Sequence, residues 1–364
     1  MGPVPLTSKL CVGTDMAVAG LINIAPLIEL LAPIDIIFTA VSNAPLPLPL
    51  FVAIALSFIN DKAESELNLA FALPVPISSL LKNKRILITG GGTGLGKEMA
   101  SHFAEYGADI YICGRRDNVL QDTAEEIKEK FKVNVHTQTL DIRASKDVDD
   151  YVQNIFDEGP LDGLVNNAAG NFISPTKDLS HKGFDAIANI VFHGTFYMTH
   201  SVGKRWIEQG VKGSIINILT TWIWTGSPYV VPSAMSKSGI HAMTQSLAAE
   251  WGKYGIKING IAPGPFPTKG AWDRLMPGGG DQKSYTSTVP LGRVGEMSEL
   301  QNLATFLMSD GCDYLTGQTI GLDGGQYLTG GGTFSQLDAL SDDDWNNMRE
   351  LIRSANNKDK ADRS

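Results

Sequence analysis

Short apolar runs alternate with amphipathic segments between residues 80 and 330. Such runs are typical of strands buried on both faces of a parallel sheet, and apolar residues repeating every three or four positions are typical of helices. The predicted strands are residues 84–89, 109–113, 133–140, 162–166, 214–219, 256–261 and 318–322. Because strands and helices alternate, the sequence predicts an α/β fold: a Rossmann-type doubly wound parallel sheet with helices on both faces.

The pattern before this region is different. Residues 1–78 form an atypical apolar extension that contains prolines, and residues 36–60 carry no charged side chain. That length would span a bilayer, but three alternating prolines between residues 45 and 49 argue against one continuous helix. Three interpretations stay open: a membrane-associated segment over residues 17–60, a poorly ordered apolar leader, or sequence outside the natural mature protein. We favour the last two.

The first predicted strand runs directly into a glycine-rich turn, TGGGTGLG at residues 89–96, and a helical pattern follows. Glycines permit a tight turn and a close approach of backbone to a pyrophosphate, and the helix N-terminus offers free N–H groups to the phosphates. In this strand–turn–helix context the motif predicts dinucleotide binding. The expected contacts are Gly90, Thr93, Gly94, Leu95 and Gly96.

The ends of the next strands add to this prediction. The second strand ends at Arg115 and Arg116, where an acidic residue would bind a ribose 2′-hydroxyl; guanidinium groups instead suit a 2′-phosphate, so we expect NADPH rather than NADH. Asp141, after the third strand, is an expected adenine contact. The fourth strand ends in a turn whose small and amide side chains suit a cofactor, at Asn167, Ala168, Ala169 and Gly170.

A helix with apolar spacing follows the fifth strand and carries Ser233 and Lys237 four positions apart, hence on one face. A lysine there is expected to donate to the nicotinamide ribose, and its charge would favour an anionic transition state.

Composition excludes several other functions. The net charge of −9 argues against nucleic-acid binding. The three cysteines are scattered, which fits a reducing compartment, and we expect a cytoplasmic protein. The six histidines show no metal-ligand spacing, so we expect no metal.

Together these residues resemble the short-chain dehydrogenase/reductase family, over about 250 residues. The matching motifs are TGGGTGLG, NNAAG at residues 166–170, the helix lysine, and Pro263 with Gly264 after the sixth strand. The resemblance implies cofactor contacts at Pro263 and Gly264 and a homotetramer. The family's catalytic set of asparagine, serine and tyrosine is replaced here by Val191, Thr220 and Ser233, and only Lys237 is retained.

A serine in place of the tyrosine is similar to the 2,4-dienoyl-CoA reductase branch. Matching stretches are NNAAGNFISPT at 166–176, VVPSAMSK at 230–237, LAAEWGKYG at 247–255 and PGPFPTKGA at 263–271. The resemblance implies that Asn171 binds the thioester carbonyl and that Ser233 and Lys237 hold the nicotinamide end. The branch's catalytic tyrosine falls on Trp222, whose indole N–H donates a hydrogen bond but is no acid near neutral pH. Tyr229 is a second candidate for that role.

The resemblance implies an NADPH-dependent reductase of an unsaturated acyl-CoA in fatty acid degradation. The alternatives are a related enzyme acting on a carbonyl or alcohol, or a non-catalytic NADP-binding protein. Residues 265–280 suit either a lid over the acyl substrate or an ordinary surface loop. Lys269 and Arg274 either meet the CoA phosphates or are solvated. We expect three parts: the extension at 1–78, the reductase domain at 79–332, and a C-terminal helix with a disordered tail at 333–364.

Overall fold

The computed structural model describes residues 80–268, 286–330, 340–348 and 350–351. The chain divides into two units, Met1–Lys82 and Asn83–Ser364, and only residues 80–82 of the first are described. The apolar extension at 1–78 therefore lies outside the described residues, as do most of the predicted lid, with Lys269 and Arg274, and the tail from residue 352 onward. The predicted three-part division stays a prediction.

The seven predicted strands form one parallel sheet in the order β3-β2-β1-β4-β5-β6-β7. The doubly wound fold is confirmed. The strands are β1 (Arg85–Thr89), β2 (Asp109–Gly114), β3 (Val135–Thr139), β4 (Gly163–Asn166), β5 (Gly213–Ile218), β6 (Ile256–Pro263) and β7 (Thr319–Leu322). Because the strand order reverses beside β1, a crevice opens where the carboxyl ends of β1 and β4 diverge.

Helices connect the strands and cover both faces of the sheet, as the alternation predicts. They are α1 (Gly94–Glu105), α2 (Asp117–Phe131), α3 (Ser145–Glu158), α4 (His181–Ala188), α5 (Gly194–Gln209), α6 (Trp222–Thr225), α7 (Val231–Trp251), α8 (Met297–Met308) and α9 (Gln326–Thr329). A π-helical turn, Asn189–His193, joins α4 to α5. Residues 342–348 are also helical, within the region where a C-terminal helix is predicted, and the Ser341 hydroxyl caps this helix by accepting from the Asp344 N–H at 3.2 Å.

Two tryptophans in the core are packed so closely against their neighbours that there is no room for added atoms. Trp206 is fully buried, and its indole N–H donates to the Leu161 carbonyl at 2.6 Å. A Cβ added to Gly213 would lie 2.5 Å from the Trp206 ring, and one added to Gly203 would lie 2.2 Å from Trp251. This packing fixes α5 and α7 against the sheet and so positions the residues at the carboxyl ends of its strands. No helix in the described ranges is long and apolar enough to cross a membrane.

Candidate active site

A cleft of about 950 Å³ opens at the carboxyl ends of the central strands. This is where parallel α/β sheets bind their ligands. Most residues predicted for the site line this cleft: Gly90, Thr93, Leu95, Arg115, Arg116, Asp141, Asn167, Ala168, Ala169, Trp222, Tyr229, Ser233, Lys237, Pro263 and Gly264. Four predicted residues are not on its wall: Gly94, Gly96, Gly170 and Asn171.

The glycine turn has the geometry that a bound pyrophosphate needs. Gly90 and Gly94 have φ angles of +65° and +56°, which favour glycine. A Cβ on Gly96 would lie 2.5 Å from the carbonyl oxygen of Gly90, so Gly94 and Gly96 shape the turn from behind the wall. Thr93, at the N-cap of α1, uses no side-chain hydrogen bond there and lines the cleft. The N-terminus of α1 is therefore suited to binding a phosphate group.

Thr89 and Asn167 join the glycine turn to the end of β4. The Thr89 hydroxyl accepts from the backbone N–H groups of Asn167 and Ala168, each at 3.0 Å. The Asn167 side-chain amide donates to the carbonyl oxygens of Thr89 at 2.9 Å and Gly90 at 3.3 Å. The amide of Asn167 thus holds the turn in shape, a role that its position in the sequence did not indicate.

The far end of the cleft carries positive charge. Arg115 and Arg116 are exposed on its wall after β2, and Asp141 lies across from them after β3. Nε of Arg143 donates to both carboxylate oxygens of Asp141 at 2.9 Å. This hydrogen bonding holds the pKa of Asp141 below its usual range, and the charge of Arg115 adds to the effect.

Sequence reasoning missed Arg143; its spacing of two from Asp141 across a turn was the available signal. Its guanidinium balances the charge of Asp141, so the Arg115 and Arg116 charges are left to face the cleft. The region fits a 2′-phosphate for that reason.

The start of α7 places Ser233 and Lys237 on the opposite wall. Both side chains are buried and line the cleft. Lys237 Nζ donates to the Ile218 carbonyl at the end of β5, which fixes the ammonium group beside the strand ends. Desolvation lowers the pKa of Lys237 to about 8, so its proton is held less tightly than that of an exposed lysine.

The position of the family's asparagine is apolar in this chain. Val191 lies in the π-helical turn between α4 and α5, where it is fully buried against Leu219 and Ile240. The neighbouring Ile190 lines the cleft. The turn keeps its π geometry, which is frequent at functional sites, but at position 191 it contributes packing rather than a hydrogen-bonding group.

Two aromatic residues face the part of the cleft between α6 and α7. Trp222 begins α6 and is half-buried, whereas Tyr229 is 57% exposed. Asn171 is half-buried, and its side-chain oxygen accepts from the Phe172 N–H at 2.9 Å. That contact is local to its own loop, so the role of Asn171 stays a prediction. Among the described residues no group of three His, Cys, Asp or Glu side chains is arranged to hold a metal ion.

Comparison with known proteins identifies this arrangement. The family described as Enoyl-(Acyl carrier protein) reductase matches residues 90–327. The probable 2,4-dienoyl-CoA reductase 3, (3E)-enoyl-CoA-producing, of Caenorhabditis elegans is 40% identical over 79% of this chain and 95% of its own. The probable 2,4-dienoyl-CoA reductase, (2E)-enoyl-CoA-producing, of Bacillus subtilis is 39% identical over 68% of this chain and 98% of its own.

Solved structures agree with these sequence relatives. The crystal structure of a short chain dehydrogenase from Bacillus anthracis is 43% identical, with a TM-score of 0.62, over 68% of this chain and 98% of its own. A gluconate 5-dehydrogenase from Burkholderia cenocepacia, in complex with NADP and tartrate, has a TM-score of 0.65 and 29% identity over 69% of this chain and 98% of its own. The chain therefore belongs to the short-chain dehydrogenase/reductase family, and within it resembles the 2,4-dienoyl-CoA reductases.

Proposed function

We propose that this oxidoreductase is an NADPH-dependent reductase of 2,4-dienoyl-CoA thioesters that acts in fatty acid degradation. The observation that carries the proposal is Ser233, buried on the cleft wall one helical turn from Lys237. Reduction of a carbonyl needs a proton donor beside the oxygen, and a serine hydroxyl is a poor acid. Reduction of a conjugated thioester needs hydrogen-bond donors at the carbonyl instead, and the relatives named 2,4-dienoyl-CoA reductases support that substrate class.

Cofactor binding is assigned to the half of the cleft built by β1, β2 and β4. The glycine turn and the start of α1 would hold the pyrophosphate, and Arg115 with Arg116 would hold the 2′-phosphate. When bound, NADPH supplies a hydride to the far end of the conjugated diene. The residues of this half bind and orient; none of them takes part in proton transfer.

The opposite half is assigned to orientation and charge. Ser233 and Lys237 would hold the nicotinamide ribose, and the ammonium group would favour negative charge that develops in the transition state. Asn171 and the Trp222 indole N–H are the proposed donors to the thioester oxygen. Apolar side chains of Ile173 and Ile190 on the wall reduce access of water.

The CoA part and the assembly are also proposals. Lys269 and Arg274, which we expect near the CoA phosphates, lie outside the described residues. The resemblance supports a homotetramer, and the scattered cysteines support a location in the cytoplasm.

The test is NADPH oxidation, followed by absorbance, with 2,4-hexadienoyl-CoA and separately with acetoacetyl-CoA. Oxidation with the dienoyl thioester alone is the expected result. Oxidation with the ketoacyl thioester alone would assign the chain to carbonyl reduction. NADPH binding without turnover of either would favour the non-catalytic alternative, which the apolar Val191 also supports.

A further inference from the structure

Tyr229 has a backbone conformation that is unfavourable for its side chain. Its φ angle is +65°, in the left-handed region. The other described non-glycine residues with positive φ have local explanations, since Asn83 is a residue type that tolerates this region and Lys132 is the C-cap of α2. A bulky tyrosine at positive φ has neither explanation, and such strain concentrates at functional sites.

The loop is held by backbone contacts that do not involve the tyrosine ring. The Tyr229 carbonyl accepts from the Ser174 N–H at 2.9 Å, which ties this loop to the segment after Asn171. The next carbonyl, of Val230, accepts from the N–H groups of Ser233 and Ala234, each at 3.0 Å, and so begins α7. A glycine would preserve all of these hydrogen bonds without strain. Folding of the loop therefore does not explain why a tyrosine is present.

The ring instead faces the cleft. It is 57% exposed and lines the wall that also carries Trp222 and Ser233. Trp222 occupies the position at which the 2,4-dienoyl-CoA reductase branch has its tyrosine, so the phenolic hydroxyl of that position is missing here. Tyr229, four residues before Ser233, brings a phenolic hydroxyl to the same wall from the adjoining loop.

We propose that Tyr229 is a catalytic residue whose O–H donates a hydrogen bond to the thioester carbonyl oxygen. The inference rests on the proposed function. As the hydride adds to the far end of the diene, an electron pair moves onto that oxygen, and the phenol stabilises it without losing its own proton. When the pair returns to carbon, that carbon takes one proton from water. The diene is reduced by a hydride and a proton while the thioester carbonyl is regenerated, and the nicotinamide is oxidised.

The experiment compares the full chain with Tyr229→Phe and Tyr229→Gly, using NADPH and 2,4-hexadienoyl-CoA. We expect each variant to lose on the order of 10² in kcat, as for loss of one oxyanion donor, with KM changed by less than about threefold. Because glycine relieves the strain, we expect Tyr229→Gly to melt at the same temperature or about 2–4 °C higher.

Making the same substitution in a Trp222→Tyr variant tests specifically whether the phenol is what matters. Trp222→Tyr restores a phenol at the family's position, so adding Tyr229→Phe to it should cost less than about fivefold, because the two hydroxyls serve the same oxygen. An active parent whose Tyr229→Phe variant keeps its kcat would overturn the inference alone. A fall of more than about 5 °C in the melting temperature of Tyr229→Gly would also overturn it, because the ring would then be shown to stabilise the fold. An inactive parent would overturn the proposed function and, with it, the role of Tyr229.

Discussion

In the cofactor half of the cleft, polar side chains hold the backbone of the glycine turn in place, whereas two large aromatic side chains line the half between α6 and α7. Thr89 and Asn167 make hydrogen bonds to the turn and to the end of β4 at 2.9 to 3.3 Å. Across the cleft, Trp222 and Tyr229 present large aromatic side chains from a short helix and a loop, and Tyr229 has a strained backbone. The first half matches the family's motifs and the second departs from them.

The difference follows from what each half must recognise. A pyrophosphate is bound by backbone N–H groups, so its site depends on glycines and on contacts that hold the turn. These features tolerate little change. A thioester carbonyl is bound by side-chain donors, and a donor reaches the same point in space from more than one position. Under the proposed function, the reaction half can therefore carry its phenol at 229 instead of 222, whereas the cofactor half has no such freedom.

Lys237 lies in the reaction half but is also a proposed cofactor contact, and its loss should have the largest effect. We expect Lys237→Met to lower kcat by on the order of 10³, since a charge next to the developing anion and a cofactor contact are both removed. Stopped-flow and steady-state NADPH oxidation measure this loss. Lys253→Met, on the exposed turn after α7, is the matched control and should keep the parent rate. A Lys237→Met variant within tenfold of the parent would contradict the assignment.

The lowered pKa of Lys237 also predicts two pH effects. Activity should fall as the pH rises through about 8, because the ammonium group loses its proton. Stability should move the other way: between pH 8 and 10.5 the unfolded chain binds more protons at this residue, so its contribution to the free energy of unfolding rises with pH. Lys237→Met should remove that rise. Thermal melts of both proteins from pH 7 to 10 provide the measurement.

Gly96→Ala should disrupt the glycine turn in the cofactor half and leave the other half of the cleft intact. The added Cβ would lie 2.5 Å from the Gly90 carbonyl, a backbone atom that cannot move aside cheaply. We expect a loss of about 1–3 kcal/mol in the free energy of unfolding and at least a tenfold weaker NADPH affinity. Gly252→Ala is the control, because a Cβ there meets nothing within 4 Å. Unchanged NADPH titration of Gly96→Ala would argue against a tightly specified turn.

The two arginines after β2 should set the choice of cofactor. We expect Arg115→Ala combined with Arg116→Ala to lower the affinity for NADPH by about 10- to 100-fold, the range of charged hydrogen bonds, and to leave that for NADH within about threefold. Calorimetric titration with each cofactor gives the ratio. Lys128→Ala, exposed on α2, removes one positive charge away from the cleft and should not alter this ratio. An equal loss for both cofactors would reject the 2′-phosphate assignment.

Thr89→Val should have the smallest effect, and it tests whether the Thr89 hydroxyl stabilises the glycine turn. It leaves the N–H groups of Asn167 and Ala168 without their acceptor, at a cost of about 1–3 kcal/mol in the free energy of unfolding. Thr89→Ser keeps the hydroxyl and should be close to the parent in urea unfolding. If the valine and serine variants unfold alike, the hydroxyl contacts do not stabilise the turn.

Local pattern was enough to predict the sheet and the glycine turn that follows its first strand. Each strand and the TGGGTGLG turn is specified by neighbours along the chain, and all seven strands were predicted to within about two residues. The orientation of Asn167 was not predictable, because its partner Thr89 is 78 residues away. The same holds for the Arg143 contact with Asp141 and for the strain at Tyr229, which depend on how turns and loops meet in the folded chain.

Reduction of a conjugated diene is tested by the position of the label transferred from NADPH that carries deuterium in place of the donated nicotinamide C4 hydrogen. The full chain is incubated with this cofactor and 2,4-hexadienoyl-CoA, and the thioester product is analysed by mass spectrometry and NMR. We expect one deuterium per product, at the end of the former diene away from the thioester. No incorporation into that thioester, with label instead found on the hydroxyl-bearing carbon when acetoacetyl-CoA is supplied, would contradict it.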